Sequence, residues 1–392
     1  MSIKTAVVCG GSSVEHEVSV ITAMQAAAAL DRSKYTPVAL YITKDGRFFT
    51  GDNLLDIASY RDIPAALKNA MEVIPVRQGG KSYLMSYPPK TIGKGTFIEI
   101  DAVLTAVHGT NVEDGTLQGL LEYWGVPYTG CGVCASACGM DKWVMKALFK
   151  AAGIPCVDGV LCNRTDFYSD TDKYLDLVES RMGYPVVVKP SNLGSSVGIS
   201  KARDRQSLRD SMINAFTYAQ AVICEPAVQH LREINCAVLG DADDARASAC
   251  EEPLNATDIL SFGDKYLGGS KGGSKGMASL KRIMPAPVGD EMIHRIESLS
   301  AQIFRALDCK GVVRIDYMLT KNDELYITEI NTIPGSMAFY LWQESGVSYP
   351  QLIDKLVEYA EKAFAEKNEN NYAYTSDILN GVVLGGKKGG KL

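Results

Sequence analysis

Gly311-Val312-Val313-Arg314-Ile315-Asp316-Tyr317-Met318-Leu319 and Leu325-Tyr326-Ile327-Thr328-Glu329-Ile330-Asn331 flank the turn Lys321-Asn322-Asp323, and their alternating side chains read as the two strands of a hairpin. Successive side chains on a strand point to opposite faces, so Arg314 and Asp316 share one face, as do Glu329 and Asn331, while the intervening apolar residues face the other way. If the polar faces pair, an arginine, two carboxylates and a carboxamide converge. Their oxygens are hard ligands suited to Mg²⁺ or Mn²⁺, which makes Asp316, Glu329 and Asn331 the candidate metal ligands. Alternation alone equally describes a half-wet sheet with a surface ion pair, and the hairpin by itself leaves both readings open.

Upstream, Tyr184-Pro185-Val186-Val187-Val188-Lys189-Pro190 reads as a strand that delivers Lys189 to the small, polar stretch Ser191 to Gly198. Backbone donors around Gly194, Ser195, Ser196 and Gly198 can fold over phosphates, although the spacing is not that of a Walker A loop and a plain linker would look the same. Lys142 opens a helical pattern within Ser136 to Ala152, and Ile154 to Leu161 is strand-like. The chain begins with an apolar strand at residues 3 to 9, a turn at Gly10-Gly11-Ser12-Ser13 and an Ala-rich helix from Val18 to Leu30, a β-turn-α start. Further strands are expected at Thr36 to Ile42, Ala102 to Val107, Ala221 to Glu225 and Ile234 to Leu239, with helices at Asp204 to Tyr218 and Asp290 to Leu307. Gly51 to Thr96 reads as an insertion, and the glycine-rich run from Glu252 to Lys281 as a lid. These patterns predict an α/β chain with α+β character in three units, residues 1–130, 131–225 and 226–366, followed by a loosely held tail at 367–392.

With 392 residues, 46% hydrophobic and 22% charged, the chain can bury sizeable cores. A net charge of -6 gives no electrostatic footprint for nucleic acid or an anionic membrane, so small molecules are the expected partners. No run of 18 apolar residues and no leader pattern is present, which points to the cytoplasm. The ten cysteines are scattered, as suits reduced thiols. Cys131, Cys134 and Cys138 are expected on one apolar helix face rather than around zinc.

Taken in order, the motifs become specific. Gly10-Gly11-Ser12-Ser13-Val14-Glu15-His16-Glu17-Val18-Ser19, His108-Gly109 with Glu113-Asp114-Gly115, Met140-Asp141-Lys142, Lys189-Pro190-Ser191 with Gly194 to Gly198, Lys265-Tyr266, Arg314-Ile315-Asp316 and Glu329-Ile330-Asn331-Thr332-Ile333-Pro334-Gly335 resemble those of the D-alanine–D-alanine ligases over residues 3 to about 362. The resemblance implies an ATP-grasp fold with ATP between the last two sheets, and activation of a D-alanine carboxylate as an acyl phosphate that a second amino acid attacks. It implies Lys142 and Lys189 on the phosphates under the loop of Ser195 and Ser196, with Glu225, Pro226 and Val228 at adenine and Glu233 at ribose. Two divalent ions would lie at Asp316, Glu329 and Asn331. Arg314 and the Gly335 N–H would hold the oxyanion. Glu15 would take the first amino acid's ammonium, tied to Ser195 and Tyr266, with Tyr266-Ser195 as the candidate base.

His108 would lie near the amino-acid pocket, and Lys265 would face the γ-phosphate and the second carboxylate. Tyr340 stands where familiar members carry a serine that binds the second amino acid's carboxylate, with Leu341 beside it in the expected substrate-binding set, so D-serine or another acceptor stays open beside D-alanine. Val112 replaces a glycine before Glu-Asp-Gly. The family further implies a homodimer serving peptidoglycan synthesis. A nucleotide-binding regulator without chemistry would have lost the metal carboxylates or the arginine, and both are retained.

Overall fold

The computed structural model describes residues 2–89, 95–228, 231–254, 281–380 and 382. The apolar opening run forms β1 (Ile3–Gly10), buried because parallel neighbours flank it on both sides. At its end Gly10 and Gly11 adopt φ of +87° and +104°, and a Cβ on Gly11 would lie 2.5 Å from Val112 Cγ1. Only glycine makes that turn without strain. It leads into α1 (His16–Ala29), whose alanines pack closely on the sheet.

β2 (Tyr35–Ile42) lies parallel to β1; β3 (Phe48–Thr50) is antiparallel to β2, and α2 (Ile63–Lys68) follows. β4 (Met71–Gln78), β5 (Lys81–Ser86) and β6 (Phe97–Ile100) continue the antiparallel ladder, and β7 (Ala102–Thr105) pairs with the far side of β1. The order is β6-β5-β4-β3-β2-β1-β7. The stretch expected as an insertion therefore supplies strands to this sheet. α3 (Thr116–Trp124) covers it through Leu117, Leu121 and Trp124.

The single helix expected at Ser136 to Ala152 is two. α4 (Val133–Met140) ends at Asp141, whose backbone is extended and whose carboxylate accepts from the N–H groups of Trp143 and Val144 to cap α5 (Lys142–Ala151). The cysteine expectation is corrected as well: Cys131 precedes α4 and is buried, whereas Cys134 on the helix is exposed.

Of the strand-like run Ile154 to Leu161 only its end enters β8 (Val160–Asn163). α6 (Arg164–Ser169) and α7 (Thr171–Met182) follow, then β9 (Val186–Pro190), β10 (Ser200–Ala202), α8 (Arg205–Ala215) and β11 (Ala221–Pro226). The four strands form an antiparallel sheet, β10-β9-β11-β8, sealed by Phe167, Leu175, Val178, Leu208 and Met212.

The third sheet has the order β14-β13-β12-β15-β16, built from β12 (Arg232–Gly240), β13 (Ala245–Pro253), β14 (Arg282–Ile283), β15 (Gly311–Leu319) and β16 (Leu325–Asn331). Its two faces differ. Ile234, Cys236, Val238, Val313, Ile315 and Tyr317 pack against Ile296, Ile303 and Phe304 of α9 (Asp290–Ala306). The opposite face carries the polar residues of the site. Beyond β16, Ser336, Met337 and Ala338 hold φ of +53°, +54° and +50°, a left-handed turn ahead of α10 (Phe339–Glu344). α11 (Tyr349–Asn368) returns Leu352, Ile353, Leu356 and Val357 to the core shared with β1 and α1. The described tail residues 371–380 are exposed coil, and no described helix is long and apolar enough to cross a membrane.

Candidate active site

The hairpin aligns its four polar residues in two rungs, Arg314 opposite Asn331 and Asp316 opposite Glu329. Arg314 grips Asp316 with two bonds, Nε to Oδ1 and a terminal nitrogen to Oδ2, both 2.7 Å, and Asn331 Nδ2 donates to Asp316 Oδ2 at 3.1 Å. Burial works to lower the Arg314 pKa, but the charge of Asp316 outweighs it and holds the guanidinium well above its ordinary value. Arg314 and Asp316 are each 5% exposed, so the pair sits in a low-dielectric setting where fixed charge acts strongly on a ligand.

Lys142, the first residue of α5, reaches this hairpin: its Nζ lies 3.2 Å from Glu329 Oε2 and donates to Leu193 O at 2.9 Å. The Lys142 N–H donates to Ser191 O, and Ser191 Oγ to the Asp141 cap, so one helix start ties the Ser191–Gly198 loop to β16. Within that loop Ser195 and Ser196 take φ of +52° and +58°, and Ser195 Oγ hydrogen-bonds Glu15 Oε1. Glu15 stands just ahead of α1. The Glu15–Ser195 link expected from sequence is thus present, while Lys265 and Tyr266 lie outside the described residues.

Glu15, His108, Glu113, Lys142, Ser195, Arg314, Glu329, Asn331 and Gly335 line one cavity of about 50 Å³. His108 is buried with both ring nitrogens engaged. Because a carbonyl can only accept, Nδ1 donates to Ile333 O at 2.9 Å; Nε2 then accepts from Thr22 Oγ1 at 2.7 Å, and Thr22 accepts from Ser336 N at 3.1 Å. Burial lowers its pKa to about 4, so the ring is neutral near pH 7. Its geometry braces the Ile333–Ser336 turn against α1.

Glu113 lies within a sequence motif but carries no role that the sequence alone reveals. Its Oε1 accepts from Ile333 N at 2.9 Å and its Oε2 from Gly109 N at 3.0 Å. Burial first, then the nearby charge of Glu15, raises its pKa to about 8. A carboxyl five residues after a histidine in a glycine-containing turn is the one signal the sequence offers for it.

On the second sheet Glu225 is buried and held by two lysines, Lys189 at 2.6 Å and Lys146 at 2.7 Å. Its carboxylate is therefore engaged by ammonium groups where the resemblance had it facing adenine. Pro226 ends β11, Val228 lies two residues beyond it, and Glu233 on β12 lies opposite Met318. Leu341 is wholly buried, packed in the core, and Tyr340 turns its hydroxyl to Glu251 Oε1 at 3.1 Å. Glu251, Arg282 and Asn235 around Tyr340 escape sequence reasoning, since nothing local marks them.

Residues 4–131 match the family described as "D-ala D-ala ligase N-terminus", and residues 148–358 the one described as "D-ala D-ala ligase C-terminus". The chain is 35% identical to the D-alanine–D-alanine ligase of Thermosipho africanus, covering 96% of this chain and 98% of that one. It is 38% identical to that of Acetivibrio thermocellus, with 94% and 97% covered. Among solved structures it resembles the D-alanine-D-alanine ligase from Coxiella burnetii, with a TM-score of 0.79, 28% identity and coverage of 94% and 96%. The VanG D-Ala:D-Ser ligase from Enterococcus faecalis gives a TM-score of 0.76, 29% identity and coverage of 92% and 100%. With two consecutive family matches and relatives that align along nearly its whole length, this chain belongs to the D-alanine–D-alanine ligase family and has its ATP-grasp fold.

Proposed function

We propose that the protein joins two D-alanines to D-alanyl-D-alanine with conversion of ATP to ADP and phosphate, through an acyl phosphate, for peptidoglycan precursor synthesis. The convergence of Glu15, Lys142, Arg314, Glu329, Asn331 and Gly335 on one cavity carries this reading. Such a ligase must bind an ammonium, neutralise phosphates and stabilise an oxyanion in one place. Glu15 offers the carboxylate for the first ammonium, Lys142 the point charge for phosphate, and Arg314 with the Gly335 N–H the donors for the oxyanion.

In the first step a D-alanine carboxylate oxygen bonds to the γ-phosphorus and ADP leaves. In the second an amine nitrogen bonds to the acyl carbon, sheds a proton, and phosphate departs with the former carboxylate oxygen. The donor set of Asp316, Glu329 and Asn331 fits a hard divalent cation, two carboxylates and an amide oxygen on adjacent strands. Bound there, Mg²⁺ or Mn²⁺, as two ions in this proposal, would neutralise phosphate charge. Lys189 on β9 would contact the phosphates, and Pro226 and Val228 would present backbone to the base.

Release of ADP and phosphate from ATP, Mg²⁺ and D-alanine, with the dipeptide identified by mass, tests the proposal. Absence of turnover with D-alanine alone or paired with other acceptors overturns it. A second reading, ligation to a different acceptor such as D-serine, is favoured by Tyr340, which occupies the position where the resemblance implied a serine. A panel of acceptors decides between them. The proposal includes a cytoplasmic homodimer, whose assembly state sedimentation velocity tests.

A further inference from the structure

Three ion pairs stand in order across the third sheet: Lys142 with Glu329 at 3.2 Å, Arg314 with Asp316 at 2.7 Å, and Arg282 with Glu251 at 2.9 Å. Their carboxylates belong to one cross-strand row. Glu329 is opposite Asp316, Asp316 opposite Asn235, and Asn235 opposite Glu251. Residues directly paired across strands share a face, and strands lie about 5 Å apart, so the row spans roughly 15 Å. The proposed ligation also presents three anionic groups in line: the transferred phosphoryl group, the oxygen on the acyl carbon, and the carboxylate of the acceptor amino acid. Lys142 and Arg314 serve the first two.

Resting on that function, we propose that Arg282 receives the acceptor's carboxylate, with Glu251 and Tyr340 as its positioning residues. The guanidinium carbon of Arg282 lies 3.9 Å from the centre of the Tyr340 ring, and Glu251 holds the edge of the same group. Stacking fixes the plane of the guanidinium and the charge of Glu251 holds it beside the ring, which presents a planar cation to a second carboxylate. The Tyr340 hydroxyl donates to Glu251, and Asn235 Nδ2 donates to the same oxygen at 3.1 Å, so the phenol serves the arginine. Arg282 is 11% exposed and Glu251 2% by side chain, a setting in which one charge–charge contact discriminates strongly. Asn235 Oδ1, buried between the Arg314 and Arg282 pairs, has no hydrogen-bond partner among the described residues and suits an amine N–H approaching the acyl carbon. The ligand class is an α-amino acid with a free carboxylate.

The experiment compares two acceptors on the intact protein. Hydroxylamine intercepts the acyl phosphate as D-alanine hydroxamate and has no carboxylate, whereas D-alanine as acceptor has one. In the doubly neutral Arg282→Gln/Glu251→Gln variant the KM for the acceptor D-alanine is expected to rise at least tenfold, with hydroxamate formation within twofold of the unaltered protein. Arg282→Lys, which keeps the buried charge but loses the fork, should raise the same KM severalfold and is decisive should the double variant not fold. Equal losses with both acceptors, or no loss with D-alanine, overturn the assignment. If the unaltered protein forms neither hydroxamate nor ADP, the ligase reading itself falls and the assignment with it.

Discussion

Lys189 Nζ lies 2.6 Å from Glu225 Oε2, and this ion pair joins the central strands β9 and β11 of the second sheet. Lys146 approaches the other carboxylate oxygen at 2.7 Å and also donates to Val157 O. Burial works to raise the Glu225 pKa, but the charges of Lys189 and Lys146 outweigh it and hold the group below its ordinary value of 4.5. Glu225→Ala would leave two ammonium groups buried without their carboxylate, a loss expected to cost about 3–5 kcal/mol. A folded-state pKa below the unfolded one means this stabilisation is present above the unfolded value and lost as pH falls through the folded value. Urea denaturation at pH 7 and again near pH 4 should show the gap between unaltered and Glu225→Ala proteins narrowing in acid; an unchanged gap refutes the charge argument.

His108 and Glu113 titrate in opposite senses. With its pKa lowered from 6.5 to about 4, His108 contributes stability that is present above 6.5 and lost as pH falls toward 4. Glu113, raised from 4.5 to about 8, contributes stability that is present below 4.5 and lost as pH rises through 8. Between 4.5 and 6.5 the two slopes oppose one another, each about 1.4 kcal/mol per pH unit. Above 6.5 only the Glu113 decline remains. Replacing Glu113 with Gln should therefore flatten the stability profile from pH 6.5 to 8 and leave a rise from 4.5 to 6.5. Denaturation midpoints across that range measure it, and a profile unchanged by Glu113→Gln counts against the raised carboxyl.

Ser195 and Glu15 are 180 residues apart and share a hydrogen bond, so the loop after β9 orients the carboxylate offered to the first amino acid. Hydrogen bonds to a charged group contribute about 1.5–3 kcal/mol. Ser195→Ala should raise the KM for the first D-alanine by about ten- to a hundredfold on that scale and also lower the melting temperature, since the same buried bond is present in the unliganded fold. A matching loss for ATP instead would assign the loop to the nucleotide alone.

The hairpin is legible in the sequence because strand alternation is local: the shared faces of Arg314, Asp316, Glu329 and Asn331 follow from a two-residue period. The same period is why β15 and β16 run over the residues expected. Glu225 shows the opposite case. Its partner Lys146 looks like an ordinary polar position on a helix, and only the folded chain brings Lys146 of α5 and Lys189 of β9 onto one carboxylate of β11. Asn235, Glu251 and Arg282 are invisible in sequence for a similar reason, since their row exists only through the register of neighbouring strands. The Gly51–Thr96 stretch hides its strands because β4 and β5 interrupt their apolar pattern with Pro75, Arg77 and Ser82 at a half-covered part of the sheet.

Two glycines lie against the same Glu15 oxygen and separate backbone strain from displacement of the carboxylate. Gly109 has φ of +84°, and a Cβ there would lie 2.6 Å from Glu15 Oε2 and press on Ser13 Oγ. Gly194 lacks the left-handed conformation, yet its Cβ would lie 2.9 Å from the same Glu15 oxygen. Gly109→Ala should both destabilise the fold, by about 1–2 kcal/mol for the left-handed backbone, and weaken binding of the first D-alanine. Gly194→Ala should weaken that binding with the melting temperature nearly unchanged, because the flexible end of Glu15 can yield where a backbone cannot. Thermal denaturation beside the KM for the first D-alanine distinguishes the two effects. Should Gly194→Ala leave that KM untouched, Glu15 is not the group that holds the ammonium.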